Sequence, residues 1–451
     1  MAESSTRKVG RAEKDIFSEL PQNVQEIILC FLPIKDAVRT SILSRTWKYR
    51  WTMIPHLIFD YEFFRSMNIN YDDETLKAYK FVSVINQVLL LHNGPVLKLS
   101  LTIPGHDCDA EIIHEFIDQW IPLLSRNGIK ELILVDTELR IVKPHHYSSL
   151  DLTYLSLYGV CFSDKPTFGR FTYLTNLELI GTTLCFDFGK NICDCPVLEK
   201  LTLVKCDGLF PNHFRAPKLK CLHQVYYIIT PEYSLAGLEN LKDFSLLLSW
   251  FLYPQDFIEV AKTSNVVKIL DWLHKIEKFS IAGNFNKYLA GEGSPNRLSK
   301  SLPYLKTLNI SDVNFNDRSE ISCLLCLIRS APNLCKLHIS ANRYCEGEDL
   351  NNYWIEDSED FIVGHLEIVT FSYFEGLQAE LELIKLLLAW SPLLKTMSIH
   401  FSKDERKRDV ALTAGEKILK YSGSSSGAQI SRLKHPVKID EYDHDLWWDM
   451  E

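Results

Sequence analysis

The chain is short of three things that would point to common functions. Positive charge does not dominate: 49 lysines and arginines stand against 58 aspartates and glutamates, a net charge of −9. That balance disfavours a nucleic-acid partner, because polyanion-binding proteins carry basic surfaces. Unbroken apolar runs are also scarce. The longest, around Phe244–Tyr253, cannot span a bilayer, which takes about 20 residues of helix. The opening MAESSTRKVGRAEKD is polar and charged, without the apolar stretch of a secretory signal. A soluble protein of the cytoplasm or nucleus is expected, with no membrane partner. Catalytic signatures are missing as well. There is no P-loop, no G-x-G-x-x-G after a strand, no H-E-x-x-H and no G-x-S-x-G. His114-Glu115 and His145-His146 stand isolated. No catalytic residue, cofactor or metal is therefore assigned.

Cysteine is present but unorganised. The 12 cysteines are scattered, which fits a reducing compartment where they need not pair. Cys323 and Cys326 form a C-x-x-C inside the apolar run ISCLLCLI. A zinc site would need a second pair at suitable spacing, and none follows, so these thiols read as helix core.

What the chain has in quantity is a repeat. An apolar residue, two others, an apolar residue, one other and an apolar residue recur at Val96/Leu99/Leu101, Ile129/Leu132/Leu134, Leu152/Leu155/Leu157, Leu174/Leu177/Leu179 and Leu198/Leu201/Leu203. The pattern returns at Leu241/Phe244/Leu246, Ile276/Phe279/Ile281, Leu305/Leu308/Ile310, Leu334/Leu337/Ile339, Leu366/Val369/Phe371 and Leu394/Met397/Ile399, with a degenerate copy at Leu219/Leu222. From 129 to 241 the starts lie 23, 22, 24, 21 and 22 residues apart; later spacings run from 28 to 35. A period of about 20 to 29 with this pattern is the leucine-rich-repeat signature. Each repeat supplies one short parallel strand and a return segment, and neighbours must stack to bury the leucines. Cys206 and Asn342 occupy the position that satisfies backbone groups where strand passes to return segment. Residues between the leucines point to the opposite, concave face. That face presents Glu131, Tyr154, Tyr158, Glu178, Lys200, Lys336, His338 and His400 among others. Its mixed chemistry suits a protein partner, and these residues, His400 apart, are the candidate substrate contacts.

The N-terminal stretch 15–51 reads DIFSELPQNVQEIILCFLPIKDAVRTSILSRTWKYRW. Val24, Ile27, Ile28, Phe31 and Leu32 make one apolar stripe on a helix. Pro21 suits a helix start and Pro33 ends that helix. Val38 and Ile42 sit one turn apart on a second helix. Ser44 can cap a third, carrying Trp47 and Trp51. Three short helices bury too little surface to stand alone, so their apolar faces must meet the rest of the chain or another protein. The order and spacing of Leu20-Pro21, Ile28, Leu32-Pro33, Ala37-Val38, Ser44, Trp47 and Trp51 resemble the F-box. The resemblance is to its plant branch, through RTSILSRTWKYRW. It implies docking on the Skp-type adaptor of cullin-based (SCF) ubiquitin ligases, through Leu20, Pro21, Ile28, Leu32, Pro33, Val38 and Trp47.

Residues 354–401 repeat the solenoid theme, with SPLLKTMSI echoing SAPNLCKLHI. Leu381, Ile384, Leu387 and Leu388 form a helical stripe between two repeat-like strands. LEIVTFSYFEG followed by ELELIKLLLAWSPLLKTM resembles the FBD domain that follows F-box and leucine-rich repeats in plant proteins. Physically it would cap the open end of the sheet. GEGSPNR (291–297), the acidic run 346–360 and YSGSSSGA (421–428) read as turns, loop and linker. The expected plan is α/β: a three-helix F-box at 15–60, an irregular leucine-rich-repeat solenoid with a curved parallel sheet at 90–345, an FBD domain at 350–430 and an acidic tail at 431–451. The resemblance implies a substrate receptor that binds the adaptor and through it a cullin. Two alternatives stay open: a small-molecule-sensing receptor and an SCF-independent scaffold.

Overall fold

A computed structural model describes residues 19–67, 73–142, 147, 150–162, 171–184, 195–206, 216–226, 235, 237–248, 270, 272–283, 298, 300–342, 361–402, 413–414, 417–418 and 429–433. His145-His146, the stretches 291–297, 346–360 and 421–428, and the tail from 434 lie outside these residues. The chain divides into two compact units, 1–174 and 175–451.

The first unit opens with α1 (Gln22–Cys30) and α2 (Ile34–Arg39). Pro21 and Pro33 stand at their N-caps, and the Pro21 and Pro33 carbonyls accept the first helical N–H groups. The expected third helix is not one. Residues 43–49 are turns, followed by a single 3-10 turn at Arg50–Met53. Thr46, Trp47, Tyr49, Trp51 and Thr52 are poor helix formers, which explains the loss of regularity. Next come β1 (His56–Phe59), α3 (Tyr61–Ser66), α4 (Glu74–Leu91), β2 (Lys98–Thr102), α5 (Ala110–Arg126), β3 (Glu131–Val142) and β4 (Tyr154–Phe162). Asp60, Asp73 and Asp109 cap the three helices by accepting backbone N–H bonds. The four strands are parallel and in register: Leu57, Leu99, Leu132 and Leu155 form one buried row, Phe59, Leu101, Leu134 and Leu157 the next. β1 therefore adds a strand that the repeat search missed, inside the segment assigned to the N-terminal module. Ile54, Leu57 and Phe59 keep the spacing of the repeat and are all buried, so the signal was present in the sequence.

In the second unit β5 (Asn176–Ile180) is followed by β6 (Thr183–Leu184), β7 (Lys200–Val204), β8 (Cys221–Tyr226), β9 (Asp243–Leu248), β10 (Lys278–Gly283), β11 (Thr307–Val313), β12 (Lys336–Ala341), β13 (Ile368–Phe374), β14 (Thr396–Phe401) and β15 (Gln429–Leu433). β5 pairs β7, and each strand from β7 to β15 pairs the next in parallel. Every sequence repeat in this unit is a strand. β15 reaches into the stretch assigned to the tail, so the sheet continues past the FBD-like segment. Two of the long spacings are explained by helices in the return segment, α6 (Arg318–Arg329) after β11 and α7 (Gln378–Trp390) after β13.

The inward rows fill the core. Leu177, Leu201, Leu222, Phe244, Phe279, Leu308, Leu337, Val369 and Met397 are all buried, and the Phe244 and Phe279 rings stack at 5.9 Å. Cys206 donates its S–H to the Leu179 carbonyl at 3.2 Å, as expected of that position. Cys323 and Cys326 are buried in α6, and burial pushes the Cys323 thiol far up. Glycine is required at Gly283, φ +68: a Cβ there would stand 2.0 Å from the Leu248 carbonyl oxygen of the neighbouring strand. Each of α6 and α7 hides a glutamate in its first turn. Glu320 accepts from Asn314 N–H at 2.9 Å, and Glu380 from the N–H groups of Glu375, Gly376 and Leu377 at 3.1, 2.7 and 2.9 Å.

Candidate functional site

The N-terminal module turns its apolar residues outward. α1 buries Gln25 and Leu29, about a third of a turn away from the stripe read in the sequence. Most of the stripe is accordingly uncovered: Ile27, Leu32 and Phe31, the last 83% exposed, with Val24 and Ile28 half-buried. Ile42, at 87%, Leu43 and Tyr49 are exposed in the segments that follow. Six large exposed apolar side chains within 23 residues are too many to be scattered surface residues, and such concentrations mark interaction sites.

This face is held firmly. Gln25 reaches back to donate to the Leu20 carbonyl at 3.0 Å. Arg50 faces Glu26 at 3.9 Å. Thr52 O accepts from Asn93 N–H and Gly94 N–H at 2.9 and 3.0 Å, and Pro55 O accepts from Leu97 N–H and Lys98 N–H at 2.8 and 3.0 Å. The His92 ring lies between Ile54 O at 2.8 Å and Gly94 O at 3.0 Å. The module is thus tied by its backbone to the first strands of the ladder, which suits a rigid docking platform.

Of the expected adaptor contacts, Pro21, Leu32 and Pro33 are exposed and Leu20, Ile28 and Val38 half-buried. Trp47 is a correction. It is 2% exposed and belongs to the module's interior, with Leu29, Ile34, Ala37 and Trp51. A large aromatic at this spacing is apolar enough for either role, and here the chain buries it itself. Sequence reasoning passed over Leu43 and Tyr49 as contacts. The pair Ile42-Leu43 between polar neighbours was the available signal.

The candidate substrate contacts do not gather into one site. Glu131 pairs with Lys98 at 3.2 Å, and Tyr154 and Tyr158 are half-buried on β4. Glu178 and Lys200 sit on the paired strands β5 and β7, Lys336 and His338 on β12. From β7 to β12 is about 24 Å at the usual strand spacing. His338 is a second correction: it is 9% exposed, and burial together with His400 pushes its pKa down to about 4. His400, with 0% exposure, is equally unavailable. His223 was not picked out at all; it is buried, and burial followed by Lys200 and Lys278 holds it at about 3. Three histidines packed into a strand face follow from enclosure of that face. His114, isolated in the sequence, donates from Nε2 to the buried Asp136 carboxylate at 2.6 Å. Among the described residues no three His, Cys, Asp or Glu side chains converge as metal ligands.

Comparison with known proteins places these segments in order. The F-box domain family matches residues 17–58, the leucine-rich repeats of FBD-associated F-box protein At5g56370 match 117–339, and the FBD family matches 362–399. The F-box/FBD/LRR-repeat protein At1g13570 of Arabidopsis thaliana is 34% identical over 432 residues, 93% of this chain and 99% of that one. The Arabidopsis F-box/LRR-repeat protein At4g14096 is 32% identical over 42% of this chain and 40% of its own length. Arabidopsis F-box/LRR-repeat protein 13 is 29% identical over 48% and 47%.

Proposed function

Since the chain belongs to the F-box/FBD/LRR-repeat protein family, we propose that it is a substrate-recognition subunit of an SCF-type ubiquitin ligase. Its F-box binds a Skp-type adaptor and, through it, a cullin; its strand ladder binds a protein substrate. The observation that carries this reading is the uncovered apolar face of α1 and the Ile42-Leu43 turn. Burying one Phe or Leu side chain contributes about 1.5–3 kcal/mol, so a patch of this size supplies a strong anchor for an interface on the order of 1,600 Å².

The receptor performs no bond chemistry in this reading. It raises the effective concentration of substrate near a ubiquitin-charged enzyme, so geometry and residence time set the rate. The reading also assigns the protein to the cytosol or nucleus, where cullin ligases act; a fluorescent fusion confined to a secretory compartment would oppose it.

The direct test is co-purification of the full chain with a plant Skp-type adaptor. The unsubstituted chain should capture it. Phe31→Asp combined with Ile42→Asp should lose it while the thermal melt stays unchanged, because both side chains already face water. Undiminished capture by that double variant would refute the assignment.

A further inference from the structure

The strand ladder of the second unit has a charged edge that no assigned role uses. Two consecutive residues lead into each strand from β7 to β14: the turn residue before it and its first residue. Along these two rows the acids are Glu199, Asp243, Glu277 and Glu367, and all four are engaged. Glu199 pairs Lys220 at 2.7 Å, Asp243 pairs Lys278 at 3.4 Å and Glu367 pairs Lys395 at 2.8 Å. Glu277 is shared by Lys242 at 2.8 Å and Lys306 at 3.2 Å, which hold its carboxyl below the usual range. Lys200 and Lys336 have no carboxylate partner among the described residues. Seven lysines thus meet four acids on this edge, although the whole chain carries −9. The surplus falls at three places: Lys200 on β7, the Lys242/Lys306 pair flanking Glu277 beside β10, and Lys336 on β12.

We propose that this edge binds an extended acidic peptide lying across the strands, and that such a peptide is the recognition segment of the substrate; the second half of this rests on the receptor reading above. The spacing defines the ligand. Three strands separate the first two surplus sites and two strands the next, about 14 and 10 Å. An extended peptide advances about 3.3 Å per residue, so carboxylates roughly four and then three residues apart meet the three sites. The rows between them offer Cys221 and Thr307, which accept neutral side chains. A nucleic-acid strand fits less well. It carries a phosphate at every nucleotide, on the order of 3.4 Å apart along a duplex strand, and would bring most of its charges against the paired acids.

The probe is a fluorescein-labelled peptide of about nine residues with Glu at its first, fifth and eighth positions and Ser or Gly elsewhere, a length and spacing set by those strand distances. Its polarisation is measured against the full chain at low salt. Saturable binding is expected, weakened at least about tenfold by Lys200→Glu with Lys336→Glu and retained by Lys200→Arg with Lys336→Arg, since the term is electrostatic. Absence of saturable binding, indifference to charge reversal, or displacement by a single-stranded oligonucleotide at lower charge concentration than by unlabelled peptide would each overturn the proposal. Loss of peptide binding in the Arg variant as well would show a shape effect and would equally overturn it. Adaptor capture by the same proteins is read separately: if the unsubstituted chain fails to capture adaptor, the receptor reading falls while the peptide result still stands or falls by itself.

Discussion

α1 and α7 are both amphipathic helices of similar length, and the chain treats them in opposite ways. α7 buries Ala379, Leu381, Leu383, Ile384, Leu386, Leu387, Leu388 and Trp390, almost all of its apolar side chains. α1 buries Leu29 and Gln25 and leaves Ile27, Phe31 and Leu32 in water. Apolar periodicity is the same physical property in both. What differs is whether the molecule supplies the cover. The helix covered from within is a stability element, and the helix left uncovered is the binding element of the proposed function.

That contrast is breakable at its strongest point, Trp47. As interior of the docking module it should carry stability, and Trp47→Ala should cost about 3–5 kcal/mol of unfolding free energy for that module. Adaptor capture would then fail by loss of the platform. A chemical denaturation midpoint unchanged by the substitution would return Trp47 to the surface role read from the sequence. Leu387, fully buried in α7, supplies the matching case: Leu387→Ala should cost about 2–5 kcal/mol and leave adaptor capture intact. Phe31→Ala should do the reverse, with stability within about 0.5 kcal/mol and adaptor affinity down by about 2 kcal/mol, near thirtyfold. If Phe31→Ala lowered stability as Leu387→Ala does, the two helices would not be opposites.

The sheet was legible because its period is enforced by stacking. A leucine that fails to recur every repeat opens a cavity in its neighbours, so the pattern survives even with irregular returns. β1 carries the same spacing at Ile54, Leu57 and Phe59 and was equally legible, but it lies inside the segment read as the N-terminal module. Inside or outside was not legible for Trp47, Phe31 or His338. Side-chain polarity tells what a residue tolerates, whereas cover depends on which other segments reach it. His338 and His400 read as presented polar residues for this reason, yet both are enclosed.

Acidity separates the enclosed groups from one another. Glu380 sits at the start of α7, where burial lifts its carboxyl from about 4.5 to about 8 despite the N–H groups of Leu377, Gly376 and Glu375. Between those values the folded chain keeps a proton that the unfolded chain has released. The stability this provides is complete below about pH 4.5 and is lost as pH rises towards 8. The buried histidines work the other way: His223 and His338 sit at about 3 and about 4, so stability is lost as pH falls below about 6.5, where the unfolded chain takes up protons. Glu380→Gln should remove the decline on the alkaline side and leave the acid-side decline unchanged. An identical stability–pH profile in wild type and variant between pH 5 and about 8 would show that Glu380 is ionised throughout, held by its three N–H donors.

The smallest effect belongs to the charged edge. Glu277 is exposed enough for solvent to screen its two lysines, and each such pair contributes at most about 1 kcal/mol. Glu277→Gln should therefore change the melting temperature little, and salt should erase the difference, because the Debye length falls to about 3 Å at 1 M. Its effect on ligand affinity should be larger and of opposite sense. Releasing Lys242 and Lys306 adds one positive charge between Lys200 and Lys336, so the acidic peptide should bind more tightly while the fold is unchanged or slightly weaker. A side chain whose loss costs the fold almost nothing but sharpens recognition is the counterpart of Phe31, whose loss is equally harmless to the fold and weakens recognition. Weaker peptide binding by Glu277→Gln would place the ligand elsewhere and restore the edge to a purely structural role.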